Sequence, residues 1–403
     1  MSIYQYEAKT LEGLAVKGKM EGTDEESITI SLRKKNYFPV SIKEYNASQN
    51  IDLNKIRKVP VKDIAVFCRE LSFSISAGMG ILKALEIVIN ETENSKLKKI
   101  LNSAFEELQK GKALSEALGA HKDIPEMLVH MIKVGEESGE LDKVMERMAD
   151  YYEKESLLNQ KIKQALTYPI LICIFALGVV IMLVTVILPK FIATIDSFGG
   201  GKLPLPTRIV LGISNAIRTQ GILIGVVIII LIEAIRTFNR SKSGKETVDK
   251  LKLNMPIFGK INKKILTAKF ARTFGTLMAS SVPLIQSMNI CSQVVGNKIA
   301  TGVLLSAQEN IRKGESIAEA LGERNLFPSM LTQMIKIGEE SGKLDVVLEK
   351  TAEYYDKEVD KATTQLTTLM EPMIIIVLAV LVGFTILSVV MPMFGMYDAV
   401  NNA

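Results

Sequence analysis

Cysteine and histidine are scarce in this chain, and that scarcity removes whole classes of chemistry. Its three cysteines (Cys68, Cys173 and Cys291) are far apart, odd in number and form no C-x-x-C pair. Neither a disulfide framework nor a zinc site follows from them. The two histidines, His121 and His130, have no cysteine neighbour to complete a ligand set. Also missing are G-x-S-x-G, H-E-x-x-H and the spaced acidic residues of a two-metal centre. No catalytic, cofactor-binding or metal-ligating residue is therefore expected, and the chain does not read as an enzyme. A net charge of +5 spread along the sequence gives no footprint for nucleic acid. The polar N-terminal stretch predicts no cleavable signal peptide. Gly13 to Lys19 imitates the start of a P-loop, but Met20 stands where a magnesium-binding hydroxyl is needed.

What the chain does have is a long stretch carried twice. Met131 to Asp142 (MIKVGEESGELD) returns as Met334 to Asp345 (MIKIGEESGKLD), and each copy continues into a Tyr-Tyr pair, Tyr151-Tyr152 and Tyr354-Tyr355. The same offset aligns Phe67 and Arg69 with Phe270 and Arg272. It also aligns Pro125 with Pro328, Pro169 with Pro372 and Pro189 with Pro392. Such a match is an internal duplication, and each copy is too long to be a solenoid repeat. Hydrophobic content of 48% beside 23% charged residues suggests soluble domains joined to a few membrane spans.

Residues 1–45 predict a small ββαβ module. Tyr4, Tyr6 and Ala8 alternate as in a strand, with a turn at Glu12-Gly13 and a return strand from Ala15 to Met20. A capping box pairs Thr23 with Glu26, and Phe38 to Ile42 closes the module. Residues 46–59 read as a polar linker. Residues 60–168 then predict a six-helix bundle. Its helices run to Ala77, then over about 81–91, 95–110 and 114–118, then from Pro125, and finally from about Glu140. Residues 238–371 hold a linker and the second such bundle.

Ala165 to Pro189 carries no charge, so 169–190 is long enough to cross a bilayer. Pro372 opens the matching run, 372–397. Pro169 and Pro372 each predict a kink where the helix meets the membrane. If both homologous bundles share one compartment, a further crossing is needed between these spans, and 219–237 is the candidate. Residues 191–218 become an extracytoplasmic connection. Lys and Arg cluster beside the bundles, which places bundles and N-terminus in the cytoplasm and the C-terminus outside. The expected architecture is mainly α: a polytopic membrane protein with two tandem homologous six-helix cytoplasmic bundles and three transmembrane helices.

The repeated GEESG corner has two readings. As a helix-to-helix turn, Gly135 closes one helix and Ser138 caps the next, with Gly139 completing the corner; Gly338, Ser341 and Gly342 repeat it. As a docking surface, Glu136, Glu137, Glu339 and Glu340 face a partner.

With these residues in view, the sequence resembles the inner-membrane platform proteins of type II secretion systems and type IV pilus machines (the PilC/GspF type). The resemblance spans nearly the whole chain. It rests on Tyr4, Tyr6 and Ala8, on Tyr37 to Val40, on Phe67, Arg69 and Leu71, and on Gly135 to Gly139. Tyr168-Pro169, Leu203 to Thr207 and the second copy's Phe270 and Gly338 stretches complete it. Glu371 beside Pro372 departs from Tyr168 beside Pro169. The resemblance implies a scaffold that forms at least a dimer in the inner membrane. Its implied partners are a cytoplasmic assembly or retraction ATPase, pilins or pseudopilins, other inner-membrane components of the machine, and membrane lipids. The alternative is a repeat-built membrane transporter or channel, which calls for polar groups at mid-membrane.

Overall fold

The computed structural model describes residues 2–9, 15–22, 24–34, 37–44, 58–197, 204–256, 258–324 and 326–401. The turn at Glu12-Gly13, Thr23, most of the 46–59 linker and the Gly199–Gly201 run lie outside the described residues. Two units, Met1–Lys58 and Val59–Ala403, are distinct.

In the first unit, β1 (Ser2–Lys9), β2 (Ala15–Gly22), α1 (Glu25–Lys34) and β3 (Phe38–Glu44) follow in order. The sheet runs β2-β1-β3, antiparallel throughout. Tyr4, Ile28 and Leu32 form its small core, with Tyr6, Met20 and Tyr37 packed against it. Pro39 has no N–H to donate. It sits on edge strand β3 opposite Ala8, where the register shifts. At the start of α1, the Asp24 carboxylate accepts the Ser27 N–H at 2.7 Å, so a cap forms one residue after Thr23.

The second unit begins with α2 (Val61–Ser76), α3 (Ile81–Glu91), α4 (Ser95–Gln109), α5 (Leu114–Gly119) and α6 (Glu126–Ser138). Gly78 and Gly111 terminate α2 and α4 with φ of 83° and 87°. Then α7 (Leu141–Met182) runs through a π-helical turn (Leu183–Ile187) into α8 (Leu188–Ser197). Next come α9 (Leu205–Arg240) and α10 (Lys242–Asn254). The second copy follows as α11 (Phe258–Ala279), α12 (Leu284–Val294), α13 (Lys298–Arg312), α14 (Ile317–Gly322), α15 (Ser329–Ser341) and α16 (Leu344–Asn401).

Among the described residues, three helical stretches are long and apolar enough to cross a membrane: Leu141–Ala193, Leu205–Asn239 and Leu344–Ser388, whose most apolar 18-residue segments have mean hydropathies of 3.3, 2.4 and 2.5. Their apolar side chains point outward, Phe175 at 76% exposure and Ile222 at 89%. Continuous exposed Ile, Leu and Phe on this scale suit lipid and not water.

Two features differ from the sequence reading. The two copies do not keep separate cores. One continuous set of buried side chains runs from Phe67, Leu71 and Met148 through Phe270, Phe274 and Leu348. Tyr151 of α7 is buried, and its hydroxyl lies 2.9 Å from Thr273 Oγ1 on α11. Lys269 Nζ lies 2.8 Å from Glu155, and Arg147 donates to the Ala279 carbonyl at 2.5 Å. Arg147, Tyr151 and Glu155 of α7 therefore each bond to α11 of the other copy, and the duplicated halves share one core.

The stretch read as an open connection, 191–218, holds α8 and the first half of α9. Thr207, Val210 and Ser214 are buried there at helical spacing, although Arg208, Asn215 and Arg218 make the segment look polar. Helix α9 changes direction at Gln220, whose φ of −121° and ψ of 17° are not helical.

As the sequence reading expects of the long helices, α7 and α16 continue through Pro169 and Pro372. Beyond Pro169 the helix passes through the π-helical turn Leu183–Ile187 before α8 ends at Ser197.

Candidate functional site: the repeated corner and the fastened spans

The GEESG corner is built differently from the simple turn. Gly135 does not close α6; it lies inside that helix and is buried. A Cβ there would stand 3.0 Å from Leu141 Cα, and at Gly338 it would stand 3.0 Å from Leu344 Cα. Glycine therefore lets each short helix approach the start of the following long one. The left-handed residues are Gly139 (φ 72°) and Gly342 (φ 66°), which end α6 and α15. Ser138 Oγ accepts the Glu140 N–H at 3.4 Å, whereas Ser341 Oγ donates back to the Ile337 carbonyl at 2.6 Å.

The two glutamates of each corner have separate surroundings. Glu136 Oε1 accepts the Leu114 N–H at 2.5 Å, and its Oε2 accepts the Ser115 hydroxyl at 2.5 Å. Glu339 does the same for α14, accepting the N–H groups of Ile317 at 2.7 Å and Ala318 at 3.1 Å. Short helices α5 and α14 thus have their orphan amides satisfied by a carboxylate 21 or 22 residues further on. Glu137 and Glu340 are exposed, Glu137 lying 3.9 Å from Lys133.

The repeated Phe-x-Arg pair fixes the long helices. Arg69 grips Glu153 with two bonds of 2.9 Å and reaches Asp150 at 2.5 Å. Arg272 pairs with Asp356 at the matching place, and Arg272 is buried. Bidentate contacts of this kind hold direction as well as charge. Burial pushes the Cys68 thiol and the Tyr151 and Tyr152 phenols well above their usual ranges, and Tyr355 up to about 12. All four are neutral structural groups at ordinary pH.

Further along, prolines create unpaired carbonyls that hydroxyls from another helix fill. In α16, Pro392 has no N–H for the Ser388 carbonyl; the buried Thr207 hydroxyl of α9 donates to it at 2.7 Å. In the other copy, Leu188 bonds back five residues to Leu183. The next donor in that register, for Val184, is Pro189, which has none. The buried Ser214 hydroxyl of α9 donates to the Val184 carbonyl at 2.8 Å. Thr207 and Ser214 lie two turns apart on one face of α9. One helix thereby fastens both repeat spans at equivalent prolines. Nothing in the sequence reading found these hydroxyls; their spacing of seven and the repeated proline were the available signals. The Thr367 hydroxyl also approaches the Ala165 carbonyl, the one freed by Pro169, at 3.5 Å.

Among the described residues, no group of three His, Cys, Asp or Glu side chains can hold a metal ion. His121 and His130 are half-buried and remain outside any such set. Charged residues do gather around a cavity of about 220 Å³ between the copies, lined by Arg147, Lys154, Arg272, Asp345 and Glu349 among others. No nucleophile–base arrangement accompanies it.

Two copies of a helical bundle, each running into a helix long and apolar enough to cross a bilayer, define a membrane protein built on a repeat. The chain belongs to the family described as type II secretion system protein F, which matches residues 67–189 and again 270–392. The N-terminal domain of that family matches residues 1–43. The type IV pilus assembly protein PilC of Thermus thermophilus is 34% identical over 398 residues, covering 98% of each chain. PilC of Pseudomonas aeruginosa is 34% identical over 376 residues, covering 92% of this chain and 98% of its own. The type II secretion system protein F of Aeromonas hydrophila is 30% identical over 386 residues, covering 94% and 99%.

Proposed function

We propose that this chain is the inner-membrane platform of a type IV pilus or type II secretion machine, coupling a cytoplasmic ATPase to the insertion or release of pilins or pseudopilins. The observation that carries this reading is the continuity of the long helices. In each copy one helical stretch begins at the GEESG corner and runs on into an apolar span, Leu141–Ala193 and Leu344–Ser388. At 1.5 Å per residue the first is about 80 Å long. Because the two copies share a core, displacement of the bundle body would move both spans together. The ATPase would act on that body, and pilins, lipids, other machine components and a second copy of the chain would meet the spans.

In this reading the N-terminal ββαβ module and both six-helix bundles are cytoplasmic, with three crossings and an extracytoplasmic C-terminus. Glu137 and Glu340, exposed and free of the capping task of Glu136 and Glu339, are the acidic docking candidates. The reading as a transporter or channel is not favoured: relatives carry assembly and secretion names. The 165–189 stretch also lacks any Asp, Glu, Lys, Arg or His for an ion path.

Deleting the gene in its source cell should abolish surface pili or secreted substrate while ATPase and pilin levels persist. Re-expression of the wild-type chain should restore them. Unchanged piliation and secretion in the deletion strain would exclude this role.

A further inference from the structure

A charged groove lies where α10 meets the second copy. Lys250 of α10, Lys263 of α11, Lys298 of α13 and Arg324 beyond α14 line one cavity of about 460 Å³, with Glu246 as its one acidic wall residue. Leu253 and Val303 are buried beneath as apolar floor. Among the described residues none of the four cations has a carboxylate partner. The contrast on α11 is direct: Lys264 pairs with Glu358 at 2.7 Å and Lys269 with Glu155 at 2.8 Å, whereas half-buried Lys263 has no carboxylate partner among the described residues. Converging like charges around a partly enclosed space repel one another and raise the local potential for an anion. Across the repeat offset, Lys263, Lys298 and Arg324 face Pro60, Ser95 and His121, so the charge is not part of the common bundle.

We infer that this groove binds a phosphate-bearing anion. Its volume falls within the range of small-ligand sites, too small for a folded partner. Three lysines supply point charges and Arg324 a planar fork, the combination suited to a phosphate. The first free amides of α13 are already taken: Asn297 Oδ1 accepts those of Ile299 and Ala300, and Asp249 accepts that of Lys298. The side chains therefore hold the ligand. Two sources share this chemistry. One is a soluble phosphate. The other is the headgroup of an anionic phospholipid, because α10 follows the span α9 after Ser241 alone.

The test uses the full chain in nanodiscs. Calorimetric titration with inorganic pyrophosphate in phosphatidylcholine discs reads the soluble source. Native mass spectrometry of chain released from discs containing phosphatidylglycerol reads the lipid source. The double variant Lys263→Gln/Lys298→Gln should weaken whichever binding occurs at least tenfold. Lys250→Gln/Arg324→Gln, on exposed positions, repeats the test should the first variant melt early. Lys336→Gln on the outside of α15 should change nothing. Saturable binding of pyrophosphate identifies a soluble ligand; retained phosphatidylglycerol without pyrophosphate binding identifies the lipid. Absence of both, or binding that both double variants leave intact, overturns the inference.

Discussion

The hydroxyl of Thr207 donates to the carbonyl of Ser388 across 2.7 Å, at the point where Pro392 leaves that carbonyl without a helical donor. Its companion, Ser214 to Val184 at 2.8 Å, repeats the device beside Pro189. Water is excluded from an apolar span, so an unfilled carbonyl there keeps its full desolvation cost. Interhelical hydrogen bonds in membranes contribute about 0.6 to 2 kcal/mol each. Thr207→Val should therefore lower the stability of the full chain in nanodiscs by about 1 kcal/mol, and Thr207→Ser should largely retain it. The effect should shrink in a Pro392→Ala background, where residue 392 regains an N–H for Ser388. Purely additive losses in the melting of the two single variants and the double variant would show that proline and hydroxyl are not coupled.

Gly135 and Gly338 act by absence of a side chain, not by backbone sign. Their Cβ atoms would press on the Cα of Leu141 and Leu344, backbone that has little room to yield. Overpacking of this sort costs about 1–3 kcal/mol. Gly135→Ala and Gly338→Ala should each destabilise the second unit within that range in denaturant titration. Gly139→Ala meets open space but holds φ at 72°, and should cost about 1 kcal/mol. Wild-type stability in Gly135→Ala would refute the close approach of α6 to α7.

The paired glutamates should separate cleanly. Glu136→Gln keeps the shape but weakens the acceptor for the Leu114 and Ser115 groups, with a loss of about 1 kcal/mol in thermal melting. Glu137→Gln, on the exposed side, should leave melting within about 0.5 kcal/mol while weakening ATPase recovery or pilus assembly. Equal effects of both variants on stability would remove the distinction between cap and docking surface.

Thiol chemistry reports on the shared core. Cys68 and Cys291 are fully buried, and burial pushes both thiols up, so almost none is thiolate at pH 8. In a Cys173→Ser background, a thiol reagent should label neither cysteine in the folded chain and both after denaturation. Rapid labelling of Cys291 in the native protein would mean that the second copy opens on its own.

Topology is tested with single cysteines in a background lacking the native ones. Cysteine at Ser197 should react with an impermeant reagent from outside the inner membrane. Cysteines at Asn102 and Ser243 should react only after that membrane is opened. Outside labelling at Ser243 would remove the middle crossing.

The sequence made the helices of each bundle legible because Gly78, Gly111 and Pro125 punctuate them and apolar residues recur at helical spacing. It also pointed to three apolar helices long enough to cross a membrane, since uncharged runs of this length have few other uses. What it hid depends on partners distant along the chain. Tyr151 was legible only as half of a repeated Tyr-Tyr pair, yet its hydroxyl meets Thr273 across the two copies. Glu136 looked like an acid beside a turn, yet its bonds go back to Leu114 and Ser115. Thr207 and Ser214 fell in a stretch whose arginines masked its buried face. Spacing within one segment reveals an element; a bond between segments appears only when the fold brings them together.

The central claim is that the chain is a platform joining an ATPase to pilins. Its most direct test is recovery of partners: a tagged full-length chain is crosslinked in its source cells, purified from solubilised membranes and examined by mass spectrometry. Both an assembly or retraction ATPase and a pilin or pseudopilin should crosslink to the wild-type chain, and the ATPase should diminish with Glu137→Gln/Glu340→Gln. Recovery of neither, from cells that are visibly piliated or secreting, would contradict the account.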